Sequence, residues 1–439
     1  MRIIVEDVLT VTMNPKGEIE RQTLLIENGR FEHISKSGVR PKDNDRVIDG
    51  RKMAAIPGLV NGHIHCDVTL ARGLGDGLTL YEQDHDSFVS ETGWFNKELD
   101  REARHLSRLL QYAEAVRGGT TFICDVPFWH YEDDLISPFH DVGVRGAVVL
   151  DYRKNFLTGE RIEKKEYFRK AKALREAGFL PIVEFPAEED FDPDLLKQLL
   201  SWAEELDTLV QLHFAETTWR VDIIKKQFGR SPVGALHELG VLGPRIIGSH
   251  GVYIEESDMG MLKNSGARIV NCPAAEMKIA DGIAPVVKLM EKRIPVGIGT
   301  DGALWNDSAD LFREMRTLML LQRVTYGASS MDAYSVLRAA TIGGAEVFGM
   351  EKEIGSIERG KLAHLVLIDL DRAHLIPHYH GKQSNILQLL TSCVTAGDVH
   401  TVIIDGRIVV DNARLLTIDE ERLKDRCQEV AESRFRDLS

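Results

Sequence analysis

Eight short apolar runs, separated by amphipathic stretches, are the feature that most constrains how this chain can fold. The runs are Ile56–His65, Thr121–Val126, Arg145–Leu150, Leu180–Phe185, Leu209–Glu216, Ile246–His250, Ala267–Cys272 and Val296–Asp301. The stretches with helical periodicity are Asp100–Arg117, Lys164–Ala177, Asp194–Leu206, Glu256–Asn264, Gly282–Lys292, Ser308–Val324 and Met331–Phe348. Such alternation predicts parallel strands with right-handed crossovers. Because the runs are nearly continuous in apolar residues, we predict an α/β protein with a closed (β/α)8 TIM barrel.

The two ends of the chain have a different pattern. Asn28–Gly29 and Asp405–Gly406 each lie between β-rich runs, which is typical of hairpins. The two β-rich ends predict a small β-sandwich domain built from residues 1–55 and 355–415. The barrel is then expected over residues 56–354, and a C-terminal helix over residues 416–439. Within the barrel, Gly118–Gly119 and Gly343–Gly344 predict breaks between helices and loops.

Composition limits the class of protein. The chain of 439 residues has a formal net charge of −14, and this acidic balance disfavours binding to nucleic acids. Its five cysteines are scattered and form no CxxC pair, which argues against a disulfide framework. The first residues contain no basic segment followed by an apolar one, and no apolar stretch suits a membrane span. We therefore expect a cytoplasmic enzyme that is not bound to a membrane.

Histidine and aspartate side chains occur at the carboxyl ends of several runs. His63 and His65 close the first run, His213 lies near the end of the fifth, His250 ends the sixth and Asp301 ends the eighth. In a (β/α)8 barrel these ends form the rim that carries the active site. Three imidazoles and one carboxylate suit zinc or ferrous iron with a position left open for water.

Each of these residues also has a purely structural interpretation. His213 alone is read as a core histidine, and Asp301 alone as a helix cap. Glu216 follows His213 by three residues and is read either as a proton-shuttling carboxylate or as the cap of the next helix. His250 is read as a fifth ligand or as a base beside the metal. The placement of several candidates at strand ends favours a metal site.

The motifs resemble those of the amidohydrolase superfamily. The matching segments are IPGLVNGHIH, LHFAET, SHG, NCPAAEMKIADGIAPV, VGIGTDG, DLFREMRTLMLLQ and GSIERGKLAHLVLID. They are most similar to the branch that contains S-adenosylhomocysteine and methylthioadenosine deaminases, guanine and cytosine deaminases, and triazine hydrolases. The resemblance covers essentially the whole chain. It implies a TIM barrel with a β-sandwich made from both chain ends.

The resemblance also implies roles for single residues. His63, His65, His213 and Asp301 match the metal ligands. Glu216 matches the acid that protonates the ring nitrogen or the leaving group. His250 matches the residue that holds the attacking hydroxide, and Asp301 would also receive a proton from water.

Relatives with two metals carry a carboxylated lysine at the end of the fourth run, and none is present here, which favours one divalent metal, although Glu184 is a candidate bridging carboxylate. We expect this metal to be zinc, and iron fits the same donors. The expected reaction is the deamination of an amino-substituted N-heterocycle of the purine, pyrimidine, pterin or triazine type by a metal-bound hydroxide. The alternatives are hydrolysis of a C–Cl, C–N-alkyl or cyclic amide bond at the same site, and a catalytically inactive binding scaffold.

The expected substrate pocket departs from the family pattern. The usual CP-x-SN segment reads Cys272–Pro273–Ala274–Ala275–Glu276, and a bulky Trp305 follows the eighth run. The fourth run lacks the common GPH segment. We predict a small-molecule heterocycle as substrate and a homo-oligomeric enzyme. The expected substrate-binding residues are Glu82, Trp94, Trp129, Arg153, Glu276 and Trp305.

Overall fold

Parallel strands and the helices that connect them dominate the fold. The computed structural model describes residues 2–85, 98–129, 132–154, 159–379 and 381–435. The strands are β1 (Ile3–Val11), β2 (Ile19–Glu27), β3 (Arg30–Ser35), β4 (Arg46–Asp49), β5 (Met53–Pro57), β6 (Leu59–Ile64), β7 (Thr120–Asp125), β8 (Arg145–Leu150), β9 (Leu180–Glu184), β10 (Val210–Phe214), β11 (Ile246–His250), β12 (Arg268–Asn271), β13 (Val296–Ile298), β14 (Leu365–Asp369), β15 (Val399–Ile404), β16 (Arg407–Asp411) and β17 (Arg414–Leu415).

The helices carry the connections between the strands. They are α1 (Leu80–His85), α2 (Arg101–Arg117), α3 (Glu132–Val142), α4 (Lys164–Glu176), α5 (Pro193–Glu205), α6 (Thr218–Phe228), α7 (Pro232–Glu238), α8 (Met259–Ser265), α9 (Pro273–Lys278), α10 (Val286–Glu291), α11 (Ala303–Asn306), α12 (Leu311–Tyr326), α13 (Ala333–Ala340), α14 (Ile342–Val347), α15 (Ile386–Ser392) and α16 (Glu420–Phe435). Among the described residues, no helix is long and apolar enough to cross a membrane.

Strands β6 to β13 form the predicted barrel. Each pairs in parallel with its neighbour, in chain order. The last strand then returns to the first, because the backbone N–H groups of Thr300 and Asp301 donate to the carbonyl of His63 over 3.1 and 3.0 Å. A Cβ atom on Gly299 would lie 2.7 Å from the same carbonyl, so only glycine fits at this contact. The rim where the barrel closes is therefore also where the histidines lie.

The eight predicted runs correspond to these eight described strands, within a few residues at each end. The prediction of one helical stretch over Met331–Phe348 is wrong, since the chain bends at Thr341 between α13 and α14. Gly343–Gly344, predicted as a break, lies inside α14. A Cβ atom on Gly344 would come within 2.8 Å of the Cβ atom of Val60, so these glycines allow α14 to pack closely on β6.

The chain ends form the second sheet. Its strands follow the order β17-β16-β15-β14-β5-β1-β2-β3, with β4 paired to β1. The two-residue period of β14 divides its side chains: Leu365 and Leu367 join the core of the end sheet, while Val366 and Ile368 pack into the core shared with the barrel. This confirms the predicted sandwich built from both ends of the chain.

Candidate metal centre and its cavity

The candidate ligands meet at the carboxyl ends of the barrel strands. Their donor atoms form two overlapping groups, His63, His65 and His213 in one, and His63, His250 and Asp301 in the other. Within each group these atoms lie within 4.8 Å of one another. Glu184, the candidate bridging carboxylate, belongs to neither group among the described residues. The geometry therefore brings together the ligands expected from the sequence.

The Nε2 atoms of His65 and His213 face each other. The Nδ1 atom of His65 donates to the carbonyl of Val126 over 2.5 Å, which leaves Nε2 with a free lone pair. This Nε2 atom lies 3.2 Å from Nε2 of His213. A tetrahedral zinc ion with bonds of about 2.0–2.1 Å would hold two nitrogen atoms about 3.3 Å apart. The spacing thus fits two ligands of one ion.

His63 supplies a third buried nitrogen without a protein partner. Its Nδ1 atom contacts Ser249 Oγ and Gln211 Nε2 over 3.0 and 3.2 Å. Its Nε2 atom has no hydrogen-bond partner in the described part of the chain. Burial lowers the pKa of His63 and of His213 well below the ordinary value, and the neighbouring histidines lower it further. Both imidazoles are therefore neutral, as metal binding requires.

Asp301 adds a carboxylate in a strained conformation. Its φ angle is 61°, in the left-handed region that non-glycine residues rarely adopt. The turn brings Oδ1 to 3.6 Å from Nε2 of His65 and 4.0 Å from Nε2 of His63. Burial raises the pKa of Asp301, while His65 and His250 oppose that shift. The cap interpretation does not hold, because Gly302 occupies the cap position of α11 and Oδ1 of Asp301 accepts from the N–H of Gly302, which precedes the helix.

Glu216 lies beside this group and is held by an arginine. Its Oε2 atom accepts from Nη1 of Arg220 over 2.5 Å, and its Oε1 atom lies 3.5 Å from Nε2 of His250. Thr217 caps α6, so the alternative interpretation of Glu216 as the cap is wrong. Sequence reasoning missed Arg220, although it follows Glu216 by four residues, in the first turn of the helix predicted after Glu216.

His250 lies between two carboxylates. Its Nδ1 atom is 3.6 Å from Oε1 of Glu276, on the side opposite Glu216. Burial alone would lower the pKa of His250, but the carboxylates of Glu216, Glu276 and Asp301 raise it to about 10. Glu276 is itself fixed by Asn271 Nδ2 and by the backbone N–H of Cys272, over 2.7 and 2.9 Å.

A cavity of about 510 Å³ opens next to these groups. Of the expected substrate-binding residues, Arg153 and Trp305 line it. Three others have different placements. Glu82 caps its own helix through Thr79, Trp129 packs under Arg104, and Glu276 lies behind His250. Trp94 lies outside the described residues.

Aromatic side chains form part of the cavity wall. Phe128 stacks on His65 with 4.7 Å between ring centroids, and Trp305 meets the same ring edge-on at 5.3 Å. Trp219 and His85 also line the cavity, and Tyr81 packs against both of them. Flat aromatic walls around a metal-binding group suit a planar heterocycle.

Comparisons with known proteins agree with this geometry. Residues 54–409 match the model of the Amidohydrolase family. The 5'-deoxyadenosine deaminase of Methanobrevibacter smithii is 31% identical over 98% of this chain and 97% of its own. The 5-methylthioadenosine/S-adenosylhomocysteine deaminase of Pyrococcus abyssi is 32% identical over 94% and 95%. An adenosine deaminase from Xanthomonas campestris, solved with bound zinc, superposes with a TM-score of 0.88 at 26% identity, covering 98% of both chains.

Proposed function

This chain belongs to the amidohydrolase family and is a metal-dependent enzyme acting on carbon–nitrogen bonds, and we propose that it deaminates an amino-substituted purine or a related nucleoside-like heterocycle. The observation that carries the proposal is the pair of Nε2 atoms of His65 and His213, 3.2 Å apart, beside Asp301 and Glu216. A cation between these two atoms would bind both lone pairs. The low pKa of His213 keeps its imidazole neutral and therefore able to bind such a cation.

The residues that would hold the metal are His63, His65, His213 and Asp301. Their donor set suits zinc, with iron as the second choice. A divalent ion bound there lowers the pKa of water to about 7 and so supplies a hydroxide nucleophile at neutral pH. Asp301 also has the role of holding the proton that this water releases, since its carboxylate is buried with a raised pKa.

Glu216 moves the second proton. We assign it to protonation of the ring nitrogen next to the carbon that bears the amino group. Arg220 binds Oε2 of Glu216 and leaves Oε1 directed toward His250. His250, fixed from behind by Glu276, donates to the oxygen that adds to the ring. The aromatic rings of Phe128 and Trp305 orient the heterocycle and exclude water from it.

The same proposal extends to compartment and assembly. All five cysteines are free, which supports a reducing compartment, and we propose the cytoplasm. Leu320 and Val324 expose 52% and 79% of their surface on one face of α12, which supports association with a second copy. Light scattering of the purified protein tests this, and a monomer at all concentrations would contradict it.

The function is tested by measuring ammonia release from a panel of substrates with zinc-loaded protein. The panel contains 5'-deoxyadenosine, methylthioadenosine, adenosine, guanine, cytosine, a pterin and an aminotriazine. We expect one class of heterocycle to release stoichiometric ammonia. If none does, and a chlorotriazine releases chloride instead, the enzyme hydrolyses a different bond with the same residues.

A further inference from the structure

Two groups of charged or metal-binding side chains line the cavity. The first group, which we call the metal end, consists of His65, His213, Asp301 and Glu216. The second group consists of carboxylates from the ends of β8 and β9 and from the loop that follows β9. We call this group the acidic end; its members are Asp151, Glu184, Glu189 and Asp190.

The two arginines of the cavity are already bound by carboxylates. Arg153 donates from Nε to both oxygens of Asp151, over 2.9 Å each. Arg220 bonds Glu216 over 2.5 Å and Glu189 over 2.9 Å. Because each guanidinium is neutralised in this way, neither offers a free positive charge to an anionic substrate. The acidic end therefore disfavours the binding of ligands that carry a carboxylate.

Glu184 lies within electrostatic range of Arg153 but forms no ion pair among the described residues. Leu150 pairs with Val183, so Asp151 and Glu184 leave neighbouring strands at the same level. No side chain or backbone donor in the described ranges makes a hydrogen bond to the Glu184 carboxylate, which is half-buried in the cavity wall. Burial and the adjacent Asp151 raise the pKa of Glu184 well above its ordinary value. Ionisation of a half-buried carboxylate without a hydrogen-bond partner is unfavourable, and a cation brought by a ligand would reduce that cost.

We propose that the substrate carries a cationic group, a protonated amine or a guanidinium, which binds at Glu184 and Asp151 while the amino-bearing ring lies at the metal end. The placement of the ring rests on the proposed function. The cavity of about 510 Å³ is large enough for a ring with such a side arm. The cation makes a charge-assisted hydrogen bond to Glu184, and this bond selects the substrate.

Three compounds that differ only in charge test the proposal. They are 5'-amino-5'-deoxyadenosine, neutral 5'-deoxyadenosine, and the 5'-carboxylate of adenosine. Binding to zinc-loaded protein is measured by calorimetry, and turnover by ammonia release. We expect the amine to bind about 10- to 100-fold more tightly than the neutral compound, the range for a hydrogen bond to a charged group. The carboxylate compound should bind most weakly.

Two variants and one control test whether Glu184 and Asp151 cause the preference for the amine. Glu184→Gln keeps the shape of the side chain and should remove the preference for the amine over 5'-deoxyadenosine. Asp151→Asn releases Arg153 and should shift the preference toward the carboxylate compound. Glu204→Gln changes an exposed glutamate on α5, the helix that follows β9, and should have no effect. Circular dichroism melting curves verify that each variant is folded.

The outcomes separate this inference from the proposed function. If the amine binds preferentially and Glu184→Gln abolishes that preference, the inference stands even when no compound releases ammonia. Equal binding of amine and neutral compound, tighter binding of the carboxylate, or no binding of the amine overturns it. In those cases ammonia release from any of the three compounds still supports deamination.

Discussion

Two buried polar clusters lie next to each other at the rim of the barrel, and they differ in how their polar atoms are satisfied. The open cluster consists of His63, His65, His213, His250 and Asp301. Several of its nitrogen atoms, among them Nε2 of His63 and both ring nitrogens of His250, have no hydrogen-bond partner in the described part of the chain. The neighbouring cluster is made of two carboxylates, two arginines and a tyrosine, and most of its polar atoms are paired.

This closed cluster consists of Asp67, Asp125, Arg104, Arg108 and Tyr112. Asp125 Oδ2 accepts from Arg108 Nε over 3.2 Å and from Tyr112 over 2.8 Å. Asp67 Oδ2 accepts from Arg104 Nη1 over 3.3 Å. Burial alone would lower the pKa of Arg108, but the carboxylates of Asp125 and Asp67 raise it.

This difference in hydrogen bonding indicates that the closed cluster stabilises the fold and that the open cluster serves the reaction. Removing a member of the closed cluster leaves its partner buried and uncompensated, so the closed cluster should affect folding. The open cluster leaves its donor atoms for a ligand, so it should affect activity. The predictions that follow test this division, and they are ordered by the size of the expected effect.

The largest effect is expected for loss of a metal ligand. His65→Ala should lower ammonia release by more than the 10⁴-fold or so that a single acid–base group contributes, because the ion itself is lost. Metal content per chain, measured by emission spectrometry, should fall with activity, while the melting temperature of the metal-free protein stays close to that of the parent. His33→Ala, at an exposed position on β3, is the control. Full metal content in His65→Ala would contradict the assignment.

Glu216→Gln should reduce turnover by about 10²- to 10⁴-fold, since it removes one general acid–base group. The variant should bind as much zinc as the parent, because Glu216 is not among the ligand groups. The control is Glu255→Gln, an exposed glutamate that pairs with Lys225. Unchanged turnover in Glu216→Gln would exclude the proton-transfer role.

In the closed cluster, Arg108→Met should destabilise the fold by about 3–5 kcal/mol, because Asp125 and Asp67 lose their buried counter-ion. Urea denaturation of the metal-free protein measures this. Arg101→Met removes a more exposed arginine on the same helix and should cost about 1 kcal/mol or less. If both variants lose equal stability, the closed cluster does not have the structural role inferred here.

The smallest effect on stability is expected for Asp405, a partly exposed carboxylate that lies at the junction of the barrel and the end sheet. Burial alone would raise the pKa of Asp405, but hydrogen bonds from His364 and Arg145 lower it to about 2. Because the pKa is depressed in the folded state, this stabilisation is present above about pH 4 and is lost as the pH falls toward 2. Asp405→Asn should therefore cost about 1 kcal/mol at pH 7, after allowance for solvent screening, and almost nothing near pH 2. A cost that does not depend on pH would contradict this account.

The barrel and the open cluster could be predicted because both follow from local patterns. Apolar runs mark strands, and the rim of a parallel barrel collects whatever follows each strand. The break near Gly343–Gly344 was predicted two residues too late, because these glycines lie inside α14, where Gly344 packs closely against Val60 of β6. The direction of Glu276 was hidden, because hydrogen bonds from Asn271 and Cys272 turn it away from the cavity and toward His250.

The central claim is that the open cluster holds one catalytic metal ion, and a zinc titration of metal-free protein tests it most directly. Bound zinc and the rate of ammonia release are followed in the same samples, with a substrate identified from the panel. We predict that the rate rises in proportion to bound zinc and reaches its maximum at one equivalent per chain. A rate that does not depend on bound zinc, or a maximum reached only at two equivalents, would contradict the account.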